Sequence, residues 1–537
     1  MSGVFDWSRR YCHRALGDDH LALPTFMTLL GICVVAKLSG VINHDTGWYL
    51  YSAEAFLNGG RLYQDIFWEV NPPITLYLTI PPVWLGMTFG GSIPHWFLGY
   101  VFVLISGSLL LVNHILRSLK GLSVAGRRMV LLFIFFGLAI LPAGAFGQRE
   151  HLMMILIMPY VFLTALRASG CALSSSLEGV AGILGGLGFV LKPYFLLGPI
   201  LIEFFIFFQR RKFIGIIRGE TLGLTMAASL CGLAVLLFTP EYVDTVVPFA
   251  LKVYNSAYRG SVLYVVSQLE TILIPVILIL HLLTRKKQRF PYLSSAFLVL
   301  ALGFFCIYLF QMKGWSYHIY PVAVLLLLAL AVMILGISAP SLSLICSRDS
   351  RIFNTQFLIM IGLIILMVFL PLRKGGYVNS FTSRLFPIVE QHASGKWIYI
   401  LSADVATGFP LVNYTEAKWS SRFPALWLLP GLIKARYGKG RRAITSDSES
   451  LNEIEHFSLE AVISDFTSKP PTLVIVDVRQ KKTFFGGVEF DYLKYFSANQ
   501  KFKDLWAMYA MIADLGDFQV FKRRCSFPCE SSTLAKQ

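Results

Sequence analysis

The chain reads as an α-helical polytopic membrane protein with a C-terminal extracytoplasmic α/β domain, and three observations predict this. Of its 537 residues, 55% are hydrophobic and only 15% charged, with a mean hydropathy of +0.62; soluble domains carry about a quarter charged residues. Before Arg373 the charges sit in short clusters between apolar runs, several of them near the roughly 20 residues that cross a bilayer as a helix. From Arg373 to Gln537 the composition becomes that of a soluble domain, with 22 Lys+Arg and 16 Asp+Glu. Eight scattered cysteines exclude a small disulfide scaffold, and 14% aromatic content excludes a disordered chain.

About 11 spans are expected over residues 1–372, near 21–42, 96–116, 129–147, 152–166, 177–191, 194–208, 221–239, 265–284, 292–311, 319–338 and 352–371. The first is read as an uncleaved anchor, since no small-x-small site ends its apolar run. Residues 74–90 are expected at the membrane interface, because a span there would break the alternation of charge between loops. With the amino terminus in the cytoplasm, 18 Lys/Arg fall in inner loops and six outside (Arg61, Arg149, Lys192, Lys252, Arg259, Lys313). This is the asymmetry that orients membrane proteins. It accounts for much of the formal charge of +16 without a nucleic-acid partner, and it leaves residues 373–537 outside.

In that outer domain, 396–402 and 472–478 have the β-rich composition of buried strands, Phe518–Lys522 is expected as a closing edge strand, and Ser448–Asp465 has helical periodicity. Asp404 and Asp477 fall at strand ends, where open α/β sheets bind ligands; the alternative is that they cap turns. Cys525 and Cys529 are spaced so that oxidation to a disulfide stays open.

The chemistry is expected at the outer ends of the spans. The first outer segment, 43–95, is longer than a connection requires, and long loops are usually functional. It begins with His44-Asp45, continues as an amphipathic stretch from Trp48 to Leu57 suited to the membrane surface, turns at Asn58-Gly-Gly-Arg-Leu-Tyr63, and ends with Asp65-Ile-Phe-Trp-Glu69-Val-Asn-Pro-Pro73. The second outer loop is short and polar, Gln148-Arg149-Glu150-His151. Two further ends place basic residues beside aromatics: Lys192-Pro-Tyr194-Phe, and Lys313-Gly-Trp-Ser-Tyr317-His318. Lys37, about 12 Å into the first span by helical rise, is either a snorkelling residue or a countercharge to the site.

An Asp just after the first span, an amphipathic helix, Gly-x-x-Tyr, and an acidic residue before Pro-Pro together resemble the first loop of the GT-C glycosyltransferases. The pattern is similar to lipid A aminoarabinose transferases, protein O-mannosyltransferases and lipopolysaccharide galacturonosyltransferases over roughly residues 40–200. Such enzymes take a sugar from a polyprenyl phosphate and pass it to an acceptor on the outer face. The chain departs from the aminoarabinose transferases in carrying Asn71 where those have a Lys before the Pro pair.

The resemblance implies a transferase of the bacterial inner membrane, multi-pass, with a periplasmic C-terminal domain and a lipid or glycan acceptor. It implies Asp45 as catalytic base, with Glu69 and Glu150 as the other acidic site residues. Because a phosphate leaves as a stable anion, no general acid is needed; fixed positive charge or a divalent metal must hold it. Glu69 is the possible metal ligand. Arg149, His151, Lys192, Tyr194, Lys313, Tyr317 and His318 are the expected substrate contacts, although Lys, Trp and Tyr are also what any membrane interface selects. An Arg149–Asp45 salt bridge is the structural alternative for this cluster. A polytopic transporter or flippase and a surface-polysaccharide polymerase or ligase are the competing classes. For transport the motive is Glu203 and Glu270, both inside apolar runs.

Overall fold

A computed structural model of the chain describes residues 19–170, 175–210, 217–254, 257–337, 382–437 and 448–524. The expected span 352–371, the start of the outer domain near Arg373, and Cys525 and Cys529 lie outside the described residues.

The first part is a helical bundle: α1 (Asp19–Leu38), α2 (His44–Leu57), α3 (Ile74–Phe89), α4 (Ile93–Leu116), α5 (Val124–Phe135), α6 (Arg149–Ser169), α7 (Ser175–Phe189), α8 (Leu197–Arg210), α9 (Gly219–Phe238), α10 (Leu269–Thr284), α11 (Pro291–Gln311) and α12 (Ser316–Ile337). Among the described residues six helices are long and apolar enough to cross a membrane: α4, α6, α8 with its lead-in from Pro193, α9, α11 and α12. The protein is a multi-pass membrane protein. Burial ranks the helices. The apolar stretch of α6 is 89% buried and forms the centre of the bundle, whereas that of α9 is 11% buried. Leu222, Met226, Leu230, Leu233 and Leu237 of α9 are exposed as one stripe at helical spacing, the face a lipid-contacting helix presents.

Helices α7 and α9 meet through small residues. A Cβ on Gly182 would lie 2.3 Å from the Glu220 carbonyl oxygen, and one on Gly223 2.6 Å from that of Gly179. Backbones approach this closely only where side chains are absent, as in the small-residue interfaces of membrane helices. Arg167 on α6 pairs with Glu178 on α7 and, at 2.5 Å, with Glu220 on α9; Arg218 pairs with Glu220 and with Glu203 on α8. Glu203 is thus neutralised by a structural network. The apolar run 129–147 departs from a single regular helix: α5 passes into a π-turn over Phe136–Ile140 and a 3₁₀ turn over Ala143–Ala145 before α6 begins.

The C-terminal domain contains α13 (Phe386–Ala393), β1 (Trp397–Leu401), β2 (Lys418–Trp419), α14 (Leu429–Tyr437), α15 (Ser448–Ser468), β3 (Leu473–Asp477), β4 (Tyr509–Asp514) and β5 (Phe518–Arg523). Its sheet has the order β2-β1-β3-β5-β4, parallel among β2, β1 and β3 and antiparallel from β3 through β5 to β4. The run around Phe518 is therefore an interior strand and not the edge expected from sequence. The edge is β4, whose Met511 and Ile512 are exposed. It was hidden because a mostly solvent-facing strand has no clear apolar alternation.

A second correction concerns α2. The helix starts at His44, with the Asn43 side chain accepting the Asp45 N–H, but it does not lie with its aromatics on a membrane surface. Trp48, Tyr49 and Leu50 are buried, because the helix is covered by the rest of the bundle on one side and by the C-terminal domain on the other, with Trp48 against Phe409 at 5.3 Å.

Candidate active site

The site gathers at the end of the bundle that carries α2. Asp45 stands at the first turn of α2 and Arg149 at the first residue of α6. Arg149 Nη2 donates to Asp45 Oδ2 at 3.0 Å, and Nη1 donates to the Tyr49 hydroxyl at 2.9 Å. Nη1 also lies 3.7 Å from Glu69 Oε1, which accepts from the Asn71 amide at 2.6 Å. The two carboxylates therefore share one guanidinium. Burial alone would push the Asp45 carboxyl up, but His44, Arg149, Lys192 and Lys313 together outweigh it and hold Asp45 below its usual range. At Glu69 burial wins over Arg149, and the negative charge of Asp45 adds to it, so its carboxyl is pushed up. Environments that drive two neighbouring carboxyls apart are a common feature of acid–base sites.

Beneath this layer lies a second set of charges. Lys192 Nζ donates to Glu150 Oε1 at 2.5 Å, and His318 Nε2 is 3.6 Å from the same oxygen; all three residues are buried. Burial pulls Lys192 down to about 8, with Glu150 opposing and Arg149 reinforcing. Lys313 Nζ sits over the rings of Tyr254 at 4.2 Å and Trp315 at 4.9 Å. Burial, then the positive charges of Lys192 and Arg149, bring it down to about 7.

Asp45, Glu69, Arg149 and Tyr317 line a cavity of about 740 Å³ between the bundle and the C-terminal domain. Its wall includes Tyr254, Tyr258, Trp315, Trp427, Phe484 and Asp404. The sequence reading missed the aromatic contributors Tyr254, Tyr258, Trp427 and Phe484; each stands in a run with no distinguishing pattern, and only the tertiary fold brings them together. Asp404 caps a turn through Ala406 N–H, the bland alternative, yet also faces the cavity. Asp477 is held by Arg479 at 2.7 Å.

Other expected contacts lie apart from the cavity wall. His151 spends both ring nitrogens on backbone, Nδ1 accepting from Gly147 N–H at 2.8 Å and Nε2 facing the Leu138 carbonyl at 2.6 Å. Tyr194 donates to Gln311 at 3.0 Å. Lys37 donates to the Ala143 carbonyl at 2.8 Å and packs over Phe146, so it braces the turn before α6. Asp65 pairs with Arg61 in an exposed turn. Exposed pairs contribute little, so Asp65→Asn is expected to leave the melting temperature of the protein within about 1 °C of wild type in a thermal unfolding scan.

Glu69 is the one expected metal ligand, and its neighbours are a guanidinium and a side-chain amide. Among the described residues no three His, Cys, Asp or Glu gather as a metal site. A divalent ion needs several oxygen or nitrogen donors without a competing cation, so Glu69 and its neighbours do not fit one.

A polytopic helical bundle with a small C-terminal sheet domain, and a cavity between them lined by Asp45, Glu69 and Arg149, is the arrangement of the chain, and by its likeness to solved structures the fold is of the GT-C type. It is similar in structure to ArnT from Cupriavidus metallidurans bound to undecaprenyl phosphate, with a TM-score of 0.55 and 12% identity over 94% of this chain and 98% of that one. The apo state of ArnT from the same organism matches with a TM-score of 0.52 and 12% identity, over 95% and 98% of the two chains. No protein-family model and no curated protein matches the chain.

Proposed function

We propose that the protein is a membrane glycosyltransferase that moves a sugar from a polyprenyl-phosphate donor to an acceptor hydroxyl held in the cavity. The observation that supports this best is the grouping of Asp45, Glu69 and Arg149 on the wall of a large cavity, with buried Lys192 and half-buried Lys313 behind them; the Asp45–Arg149 salt bridge is thus open to the cavity. The likeness to an ArnT structure holding undecaprenyl phosphate agrees with a lipid-phosphate ligand. In this reading the cavity and the C-terminal domain lie on the outer side of the membrane, in agreement with the Lys/Arg asymmetry, and the resemblance of the first outer segment implies that this is the periplasm of a bacterial inner membrane.

Arg149 receives the donor phosphate, with Lys192 and Lys313 raising the positive potential beneath it. Burial and the Asp45 charge push the Glu69 carboxyl up, which weakens its competition with a phosphate for Arg149. Phosphate at Arg149 competes with Asp45 for the guanidinium, which loosens the pair and makes the carboxylate a better base. The acceptor oxygen then attacks the anomeric carbon from the side opposite the phosphate. The carbon–oxygen bond to phosphate breaks, its electron pair leaving with polyprenyl phosphate, and the acceptor proton passes to Asp45. The product has inverted anomeric configuration.

A pH dependence follows. Lys313 and Lys192 lose their protons through about 7 and about 8, while a phosphate monoester is already close to dianionic above pH 7. Undecaprenyl phosphate should therefore bind the nanodisc-embedded protein more weakly as pH rises from 7 to 9, by at least about fivefold, and Lys313→Arg should flatten the profile because guanidinium stays charged. Affinity independent of pH in the wild type would remove the lysines from the phosphate site.

A further inference from the structure

We propose that the C-terminal domain is a positioning device that sets both carboxylates of the site, a role that rests on the functional reading above. It grips the first outer segment on either side of the chemistry: at Gly47, two residues after Asp45, and at Trp68, the residue before Glu69.

The grip on Trp68 is complete at the backbone. Its N–H donates to the Arg422 carbonyl at 2.8 Å, and its carbonyl accepts from Trp427 Nε1–H at 3.0 Å. Its ring packs at 4.4 Å from that of Phe457 and 5.7 Å from that of Phe423. Arg422 is itself fixed by Asp465, whose carboxylate accepts from its backbone N–H and from its Nε at 2.9 Å. Residues 67–72 form neither helix nor strand, so Glu69 owes its place to such tertiary contacts.

The grip on α2 is as close. Asn413 Nδ2 donates to the Gly47 carbonyl at 3.0 Å, and a Cβ at residue 47 would lie 2.5 Å from Asn413 Oδ1 and 3.3 Å from Pro410. One turn further on, the Tyr51 hydroxyl accepts from Trp419 N–H at 2.7 Å and lies 3.3 Å from the Trp419 carbonyl. On the side of α2 that faces the bundle, Asp45 and Tyr49 both meet Arg149. A base must stand within hydrogen-bond reach of the proton it takes, and errors of about 1 Å cost turnover by roughly a hundredfold. The domain therefore acts through Asp45 and Glu69 while its gripping residues themselves do no chemistry.

The test uses the full chain in nanodiscs. Gly47→Ala crowds Asn413 and Pro410 across the contact with α2, and Phe457→Leu removes the ring that packs on Trp68 from a residue outside the cavity wall. Both variants are expected to bind undecaprenyl phosphate with wild-type stoichiometry and a Kd within about threefold, while kcat falls at least tenfold and hydrogen exchange over 44–57 or 62–72 accelerates. Adding Asn413→Ala to Gly47→Ala relieves the 2.5 Å clash, so kcat should recover to the level of Asn413→Ala alone. Mere destabilisation would lower the binding stoichiometry along with kcat. Wild-type kcat in both variants, or loss of phosphate binding in proportion to kcat, overturns the proposal. A wild-type protein that neither binds undecaprenyl phosphate nor turns over would instead overturn the functional reading; unchanged exchange over both segments in the two variants would then overturn the grip itself.

Discussion

Asp45→Asn should lower sugar transfer by about 10²- to 10⁴-fold, the range general-base catalysis supplies, which is roughly 3–5 kcal/mol of barrier. The substitution keeps the size of the side chain and one acceptor for Arg149 Nη2, and the helix start stays capped by Asn43. The Arg149–Asp45 hydrogen bond loses the charge on its acceptor, so a stability loss of about 1–2 kcal/mol is expected, too small to account for the loss of rate. Glu69→Gln should be milder, about tenfold, since burial and the adjacent Asp45 charge already push Glu69 toward its neutral form. The check is initial-rate product formation with protein shown by gel filtration to be monodisperse. Near-wild-type rates for Asp45→Asn would remove it as the base.

Arg149→Ala should be the more damaging change to the protein as a whole. The guanidinium is buried and is shared by Asp45, Glu69 and Tyr49. Its removal leaves the two carboxyls without their shared cation, and breaking a buried ion pair from one side costs about 3–5 kcal/mol. Undecaprenyl phosphate affinity should fall at least a hundredfold, about 2.7 kcal/mol, and Arg149→Lys should restore charge without the two-pronged geometry and so recover it only in part. Thermal unfolding and lipid titration on the same sample separate the two effects. A stable Arg149→Ala variant with unimpaired binding would place the phosphate elsewhere.

Much of the membrane part was legible because its signal is local. A run of apolar residues such as Pro291–Gln311 has one outcome in lipid, a helix that satisfies its own backbone. The run around Met129–Gly147 was less so: its composition matches a span, but the π-turn at Phe136–Ile140 and the turns after Pro142 depend on neighbours such as Tyr320, whose hydroxyl donates to the Gly137 carbonyl at 2.8 Å. Asp45, Glu69, Arg149 and Glu150 could be picked out because carboxylates and basic residues crowd one end of the apolar runs. One pairing was open from the sequence, the Arg149–Asp45 salt bridge, and it forms at 3.0 Å. Nothing in the sequence says that Lys192 meets Glu150, or that His151 closes onto Leu138 while Asp65 turns away to Arg61. The burial of α2 was least legible, since the residues that cover it, Phe409, Asn413 and Trp419, come some 360 positions later.

The central claim, that this chain transfers a sugar from polyprenyl phosphate, is tested most directly by mass spectrometry of the envelope glycolipids and glycans of cells with and without the gene. The account predicts that deletion removes a single sugar-sized mass increment from one acceptor, that the wild-type gene restores it, and that Asp45→Asn at equal protein level does not. Identical spectra with and without the gene, or full restoration by Asp45→Asn, would contradict it.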